Sequence, residues 1–299
     1  MQVFGSSGVR GVAGSELTPP FVGRIAASTG TVLTADAVAV ARDTRTTGRL
    51  FADAAASALA GVGCDVHRLG IAPTPAAQAY AEREEVPVVV ITASHNPPES
   101  NGVKLVGADG VELDRRTLER VEERLLAENF QLVSYEQVGG HRDVEGVTDD
   151  YVGQLLDRLA AEGHRERIAA ADLEVAVDPG HGAGCLTSPE FFRELGCRVR
   201  TVNATPDGYF PGRDPEPVAD NLADLRQLSN RRTPTPGSPT TATPTGPSSS
   251  TRRGRTSRAT RRLRRLRPTN WRTGPSPFRR STSPSGSLTP SKPPAPAWS

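Results

Sequence analysis

All 34 acidic residues of this 299-residue chain lie before Ser229, and the stretch from Ser229 to Ser299 holds none, against 15 of the 36 lysines and arginines. The formal net charge of +2 is therefore the difference between a segment near −13 and one near +15. Half of the 26 prolines also fall after Leu228, among Ser, Thr and Arg with few apolar residues. Such a stretch cannot bury enough apolar surface to offset chain entropy, so disorder is expected there. A folded core has to come from the first 228 residues, which are long enough to build one.

Within that segment several function classes drop out. No run of about 18 apolar residues exists, so no membrane span is expected. The start, MQVFGSSGVRG, lacks the basic and then apolar regions of a secretory signal, and a cytoplasmic location is expected. Cys64, Cys185 and Cys197 are scattered without a CxxC pair, which predicts neither a disulfide framework nor a zinc site but reduced, small apolar side chains.

Short β-branched runs alternate with helical patterns, the mark of βαβ units around a covered parallel sheet and hence of an α/β fold. Thr18-Pro19 supplies an N-cap and a first-turn proline for a helix through Leu33. Ala37–Ala41 reads as a strand, about 50–59 as a helix, and Val88–Ile91 as a strand buried on both faces. A charged helix over about 113–129 and a linker near Gly139–Gly146 follow. A second unit has a helix near 150–161, a strand at 173–177, a helix near 188–195 and a strand at 197–202.

The segment Thr92–Lys104, TASHNPPESNGVK, carries the chemistry. Open α/β sheets place ligands at the carboxyl ends of their strands, which is where Ser94 stands. His95 and Asn96 beside it can exchange protons or hydrogen bonds, and Pro97-Pro98 stiffens the exit. Asn101-Gly102 is a turn pair that can bring Lys104 back toward the serine. A serine with a base, an amide and a cation suits phosphoryl transfer, in which positioning and charge neutralisation dominate. The plain alternative is a polar connection. Arg42 and Asp43 read equally as an ion pair at a strand end. His181 reads as a turn residue between glycines, and His67, His141 and His164 as surface residues.

The loop resembles the active-serine loop of the α-D-phosphohexomutases, the group of phosphoglucomutases, phosphomannomutases and phosphoglucosamine mutases. FGSSGVRG (4–11), VARDTR (40–45), VDPGHGAG (177–184) and DGYFPGRDPEP (207–217) are similar to further segments of that family in the same order. A small departure is Ser100, where an aromatic or acidic residue is more usual. The resemblance implies a phosphohexomutase-type mixed-sheet α/β/α domain over 1–140, a partial second α/β/α domain over 147–228 and a disordered basic tail over 229–299. It implies an isomerase that carries phosphate on Ser94 and interconverts hexose 1- and 6-phosphates through a bisphosphate, of the phosphoglucosamine or phosphomannose type. Arg10, His95 and Lys104 would surround the transferring phosphate, and Ser7, Asn96 and Asn101 would help bind it. Mg²⁺ would sit on the Ser94 phosphate and three aspartates of a DGDxDR loop.

Those aspartates are absent from the sequence as it stands. Yet SPTTATPTGP (238–247), given permitted codons TCG CCC ACG ACG GCG ACG CCG ACC GGG CCG, reads AHDGDADRA from the third base. Only the first base of each shifted codon is free to choose. Pro268–Ser299 shifts likewise into an acidic, patterned peptide. A reading-frame change just after Leu228 is therefore expected, and resequencing the DNA there tests it. As it stands the chain is expected to have little or no mutase activity. Two other readings remain: a basic-tailed protein whose Thr251–Arg267 attracts nucleic acid non-specifically, and a fragment that binds a phosphosugar without turning it over.

Overall fold

The computed structural model describes residues 3–5 and 8–230. Ser7 and the tail from 231 onward lie outside the described residues. The break after Leu228 is not abrupt in the backbone, since the last helix runs on to Asn230.

The first half is built on β1 (Val9–Val12), α1 (Pro19–Leu33), β2 (Ala37–Arg42), α2 (Gly48–Gly61), β3 (Asp65–Ile71), α3 (Thr74–Glu84), β4 (Val88–Ile91), β5 (Ser100–Val106), α4 (Arg115–Leu126) and β6 (His141–Asp143). The sheet order is β1-β5-β4-β2-β3-β6. Parallel pairing holds for β4, β2, β3 and β6, whereas β5 runs antiparallel to β4 and β1. The sheet is thus mixed, as the resemblance implies, and not wholly parallel as the alternation predicts. The stretch read as a linker contributes its edge strand β6.

Strand period decides the layers, because successive side chains face opposite ways. Val38 and Val40 of β2 and Val89 and Ile91 of β4 join one apolar cluster with Ile25, Phe51 and Leu59 of α1 and α2 and Val121 and Leu125 of α4. Ala39 and Ala41 with Val88 and Val90 face the other way, against Ala76, Ala77 and Tyr80 of α3. Small residues on both surfaces let α3 lie close to the sheet. On the first face Gly30 of α1 is pressed so near α2 that a Cβ would come within 2.9 Å of Val62. The Thr18 hydroxyl caps α1 by accepting from the Phe21 amide at 3.4 Å, as the sequence predicts.

The second half comprises α5 (Val147–Ala161), α6 (His164–Ala170), β7 (Glu174–Val177), α7 (Ser188–Glu194), β8 (Arg198–Thr201) and α8 (Ala223–Asn230). β7 and β8 pair in parallel over a small core of Val152, Leu156, Leu195 and Cys197. No helix among the described residues is long and apolar enough to cross a membrane.

Candidate phosphoryl-transfer site

Strand β4 is buried along its whole length and delivers the chain to Thr92 at its carboxyl end. The Thr92 hydroxyl accepts from the Ser94 amide at 3.0 Å and donates to Asp43 Oδ2 at 2.7 Å. This local bond folds the chain sharply, and Ser94 takes a left-handed φ of 58°. A non-glycine residue there costs about 1–2 kcal/mol, so its surroundings must hold it. Its side chain is exposed, with Oγ 3.3 Å from His95 Nδ1. Asn96 Oδ1 accepts from Arg10 Nη1 at 2.9 Å, so Arg10, Ser94, His95 and Asn96 do come together around one loop.

Arg45 holds that loop from beneath. A guanidinium has five N–H donors, and all five are matched. Nη1 donates to the carbonyls of Pro97 (2.6 Å) and Ser100 (2.8 Å), and Nη2 to those of Ser94 (3.1 Å) and Asn96 (2.7 Å). Nε donates to Asp43 Oδ2 at 3.1 Å, and the Arg45 amide to Asp43 Oδ1 at 3.0 Å. Arg45 is 1% exposed. Burial pushes the Asp43 carboxyl above the ordinary range, opposed by the bonds from Thr92 and Arg45. Burial likewise lowers Arg45, with Asp43 opposing. The cation paired with the Asp43 carboxylate is therefore Arg45, not Arg42, whose Nη1 reaches only the Asp43 carbonyl.

Two other expected residues stand elsewhere. Lys104 is not on a returning loop, because β5 begins at Ser100 and pairs Lys104 with Val90. Its Nζ bonds Glu112 Oε1 at 2.5 Å, in a pocket lined by Gly5, Gly8 and Arg115, apart from the cavity that Ser94 and His95 line. Asn101 is fully buried, with Nδ2 donating to Thr47 Oγ1 and Oδ1 accepting from the Gly102 amide, which anchors β5. Ser7 lies outside the described residues.

The second half closes the opposite side. A cavity of about 400 Å³ has Asp43, Thr92, Ser94 and His95 on one wall and Pro179, Gly182, Ala183, Phe210 and Arg213 on the other. Arg213 is fixed by Asp178, which also accepts from the Gly180 amide and Asn203. His181 turns the chain with φ 58° and its Nδ1 2.8 Å from the Thr205 carbonyl. Burial pushes the Cys185 thiol up to about 11, so it is no nucleophile at neutral pH. His67, expected at the surface, is buried with Nδ1 3.0 Å from the Tyr80 hydroxyl.

Sequence reasoning missed Arg45, Phe210 and Arg213 as site residues. The only signal was their place inside VARDTR and DGYFPGRDPEP, since the carbonyls that Arg45 holds are 49 to 55 positions away.

Residues 1–132 match phosphoglucomutase/phosphomannomutase α/β/α domain I, and 149–237 match domain II. A phosphoglucomutase/phosphomannomutase of Thermococcus kodakarensis is 41% identical over 233 residues, 76% of this chain and 50% of that one. A probable phosphoglucosamine mutase of Methanothermobacter thermautotrophicus is 39% identical over 229 residues, 76% of this chain and 49% of that one. The crystal structure of a phosphoglucomutase/phosphomannomutase family protein from Burkholderia thailandensis superposes with a TM-score of 0.62 at 28% identity, over 76% of this chain and 49% of that one. The chain spans about half the length of the curated relatives it matches.

Proposed function

The chain belongs to the phosphoglucomutase/phosphomannomutase family, and from that premise we propose that Ser94 accepts and returns a phosphoryl group on hexose phosphates. The observation that carries this reading is Ser94 itself, exposed and left-handed on a loop held from below, at the mouth of a cavity with walls from both halves.

When Ser94 is unmodified, its Oγ attacks the phosphorus of a sugar phosphate ester. The P–O bond to the sugar breaks, the serine proton passes toward His95 Nδ1, 3.3 Å away, and the departing sugar oxygen takes a proton from solvent to leave as a hydroxyl. In the reverse half, a sugar hydroxyl attacks phosphoserine and gives its proton to solvent, the P–Oγ bond breaks and His95 returns the proton to Oγ. A phosphoserine carries about −1.5 to −2 charge. Arg10, which already bonds the loop at Asn96, is the described cation best placed to meet it. Lys104 would have to leave Glu112 to contribute. Relatives named as a phosphoglucomutase/phosphomannomutase and a probable phosphoglucosamine mutase support a glucosamine or mannose phosphate as substrate.

The Mg²⁺ that the resemblance implies does not fit the residues at hand. Among the described residues no group of three His, Cys, Asp or Glu side chains could hold a metal. The nearby carboxylates are taken, Asp43 by Arg45 and Thr92, and Asp178 by Arg213 and Asn203. Slow, site-specific loading of Ser94 with little isomerisation is the expected behaviour of the 299-residue chain.

The test uses radiolabelled hexose 1,6-bisphosphate with peptide mapping, and a coupled isomerase assay in Mg²⁺ buffer. Label on Ser94 that disappears in Ser94→Ala supports the proposal. Label elsewhere, or none, overturns it, and sustained isomerisation refutes the low-turnover part.

A further inference from the structure

We infer that Phe210 and Gly208, in the second half of the chain, are positioning residues for the Ser94 loop and act on it through Arg45. The inference rests on the reading of Ser94 as the phosphoryl carrier for its functional meaning, though not for its geometry.

The guanidinium of Arg45 spends its five in-plane donors on the loop carbonyls and Asp43, which leaves only its faces for further contact. Phe210 covers one of them, with the Arg45 Cζ 5.2 Å from the ring centroid. That distance lies within the range in which an aromatic face attracts a cation. Phe210 is 7% exposed, whereas its neighbour Tyr209 is 76% exposed. Yet Phe210 belongs to none of the three apolar clusters that make up the core. Its ring is buried against a cation, not in a hydrophobic interior.

The backbone is shaped to bring the ring there. Phe210 has a φ of 52°, a left-handed value that an aromatic residue adopts rarely. The Asp207 carbonyl accepts from its amide, and the Asp207 amide in turn donates to the His181 carbonyl, tying the turn to the glycine-rich segment after β7. Gly208 forms a parallel bridge with Arg45. A Cβ on Gly208 would meet the Thr44 carbonyl and the Thr46 amide nitrogen, both backbone atoms with no room to give. The segment 207–210 thus seats backbone to backbone on the turn that presents Arg45, and its ring fixes the plane of the guanidinium. Arg45 in that plane holds the carbonyl of Ser94 and those of Asn96, Pro97 and Ser100 after it, so a contact made by the second half sets the geometry of a serine on the first.

The experiment compares the full chain with Phe210→Leu, which keeps apolar bulk without an aromatic face, Phe210→Trp, which keeps the face, and Gly208→Ala. Amide hydrogen exchange is read at the three protected loop amides, Ser94, Asn96 and Ser100. In Phe210→Leu these should exchange roughly tenfold faster, the equivalent of losing a desolvated cation–aromatic contact, while β2 and β4 amides keep their rates. Phe210→Trp should stay within about twofold of the parent, and Gly208→Ala should accelerate the same three amides without touching the ring. Unchanged loop exchange in Phe210→Leu overturns the inference, as does equal behaviour of Leu and Trp or acceleration spread evenly over the sheet. Phosphoryl loading of Ser94 is measured on the same samples. If the parent chain takes no label there, the phosphoserine reading fails while the exchange comparison still decides the positioning role.

Discussion

Replacing Arg45 by Met removes the side chain that ties Asp43 to four carbonyls of the Ser94 loop, and its cost follows from those contacts. Methionine fills much of the same space but donates nothing. Asp43, 14% exposed at its side chain, keeps its bonds from Thr92 and the residue-45 amide but loses its counter-charge. Four carbonyls of residues 94 to 100 lose their donors together. Removing one partner of a buried ion pair costs about 3–5 kcal/mol, and four lost neutral acceptors at about 1 kcal/mol each give a similar figure. For a folded region of this size about 2–4 °C accompanies each kcal/mol, so the melting midpoint by far-UV circular dichroism should fall roughly 6–20 °C. The double variant Asp43→Asn with Arg45→Met should recover part of this, because the uncompensated charge is gone. Its cost should undercut the sum of the singles by about 1–3 kcal/mol. Arg45→Lys should fall between, since an ammonium keeps the charge but cannot match a five-donor fork. A midpoint for Arg45→Met within about 2 °C of the parent, or singles that simply add, would refute the role assigned to the pair.

Three further outcomes follow from particular contacts. Gly153 sits inside α5 with open space where a Cβ would go; Gly153→Ala should stabilise the chain by about 0.5–1 kcal/mol through helix propensity, and an unchanged urea midpoint contradicts this. Burial and the neighbouring Arg142 push His67 below its ordinary 6.5, so the unfolded chain binds the proton more readily than the folded one. Stability should be complete above about pH 6.5 and decline as the pH falls through that value; in His67→Gln the decline measured by thermal melts should be shallower, and identical slopes sink the assignment. Glu112 holds Lys104; if Lys104 serves the phosphoryl group, Glu112→Gln should speed Ser94 loading several-fold, about as far as loss of one partly buried ion pair allows, while Lys104→Ala should slow it. No change in either rate leaves Lys104 a structural residue.

What the sequence disclosed divides along physical lines. Elements whose residues carry their own signal were legible: α1 with its Thr18 cap and Pro19, and β4 as four consecutive buried branched residues. Strand β5 was not, because SNGVKLV contains a turn pair and a lysine and becomes a strand only through pairing with β4 and β1 on either side. That omission made the serine loop look longer than it is and placed Lys104 beside the serine, whereas β5 carries it back along β4 to the level of Val90. Strand β6 was hidden for the same reason, as three exposed polar residues that pair with β3. His67 was misplaced because its burial depends on Tyr80, thirteen positions away on α3. Ser94, His95 and Asn96 were legible as types of chemistry, and Arg10 only through the family resemblance. The group that holds them was not, since nothing local in VARDTR says that Arg45 serves a loop some fifty residues on.

A serine that exchanges phosphate, as proposed for Ser94, must be reachable by the substrate and yet held still, and these demands conflict in an ordinary surface loop, whose backbone is mobile and solvated. Here the conflict is resolved by turning the loop's carbonyls inward. The trans peptide sets C=O and N–H on opposite sides, so the Ser94 carbonyl aimed at Arg45 sends the His95 amide the other way. The loop thereby gains rigidity from below without spending the Ser94 hydroxyl or the His95 amide. The charge of Arg45 is balanced by Asp43 beside it, so this buried cation is poorly suited to neutralise phosphate. That task falls to side chains around the exposed face, of which Arg10 is already tied to the loop through Asn96. On the proposed reading, separating the cation that shapes the loop from the cation that meets the ligand would let phosphate come and go while the left-handed Ser94 stays in place.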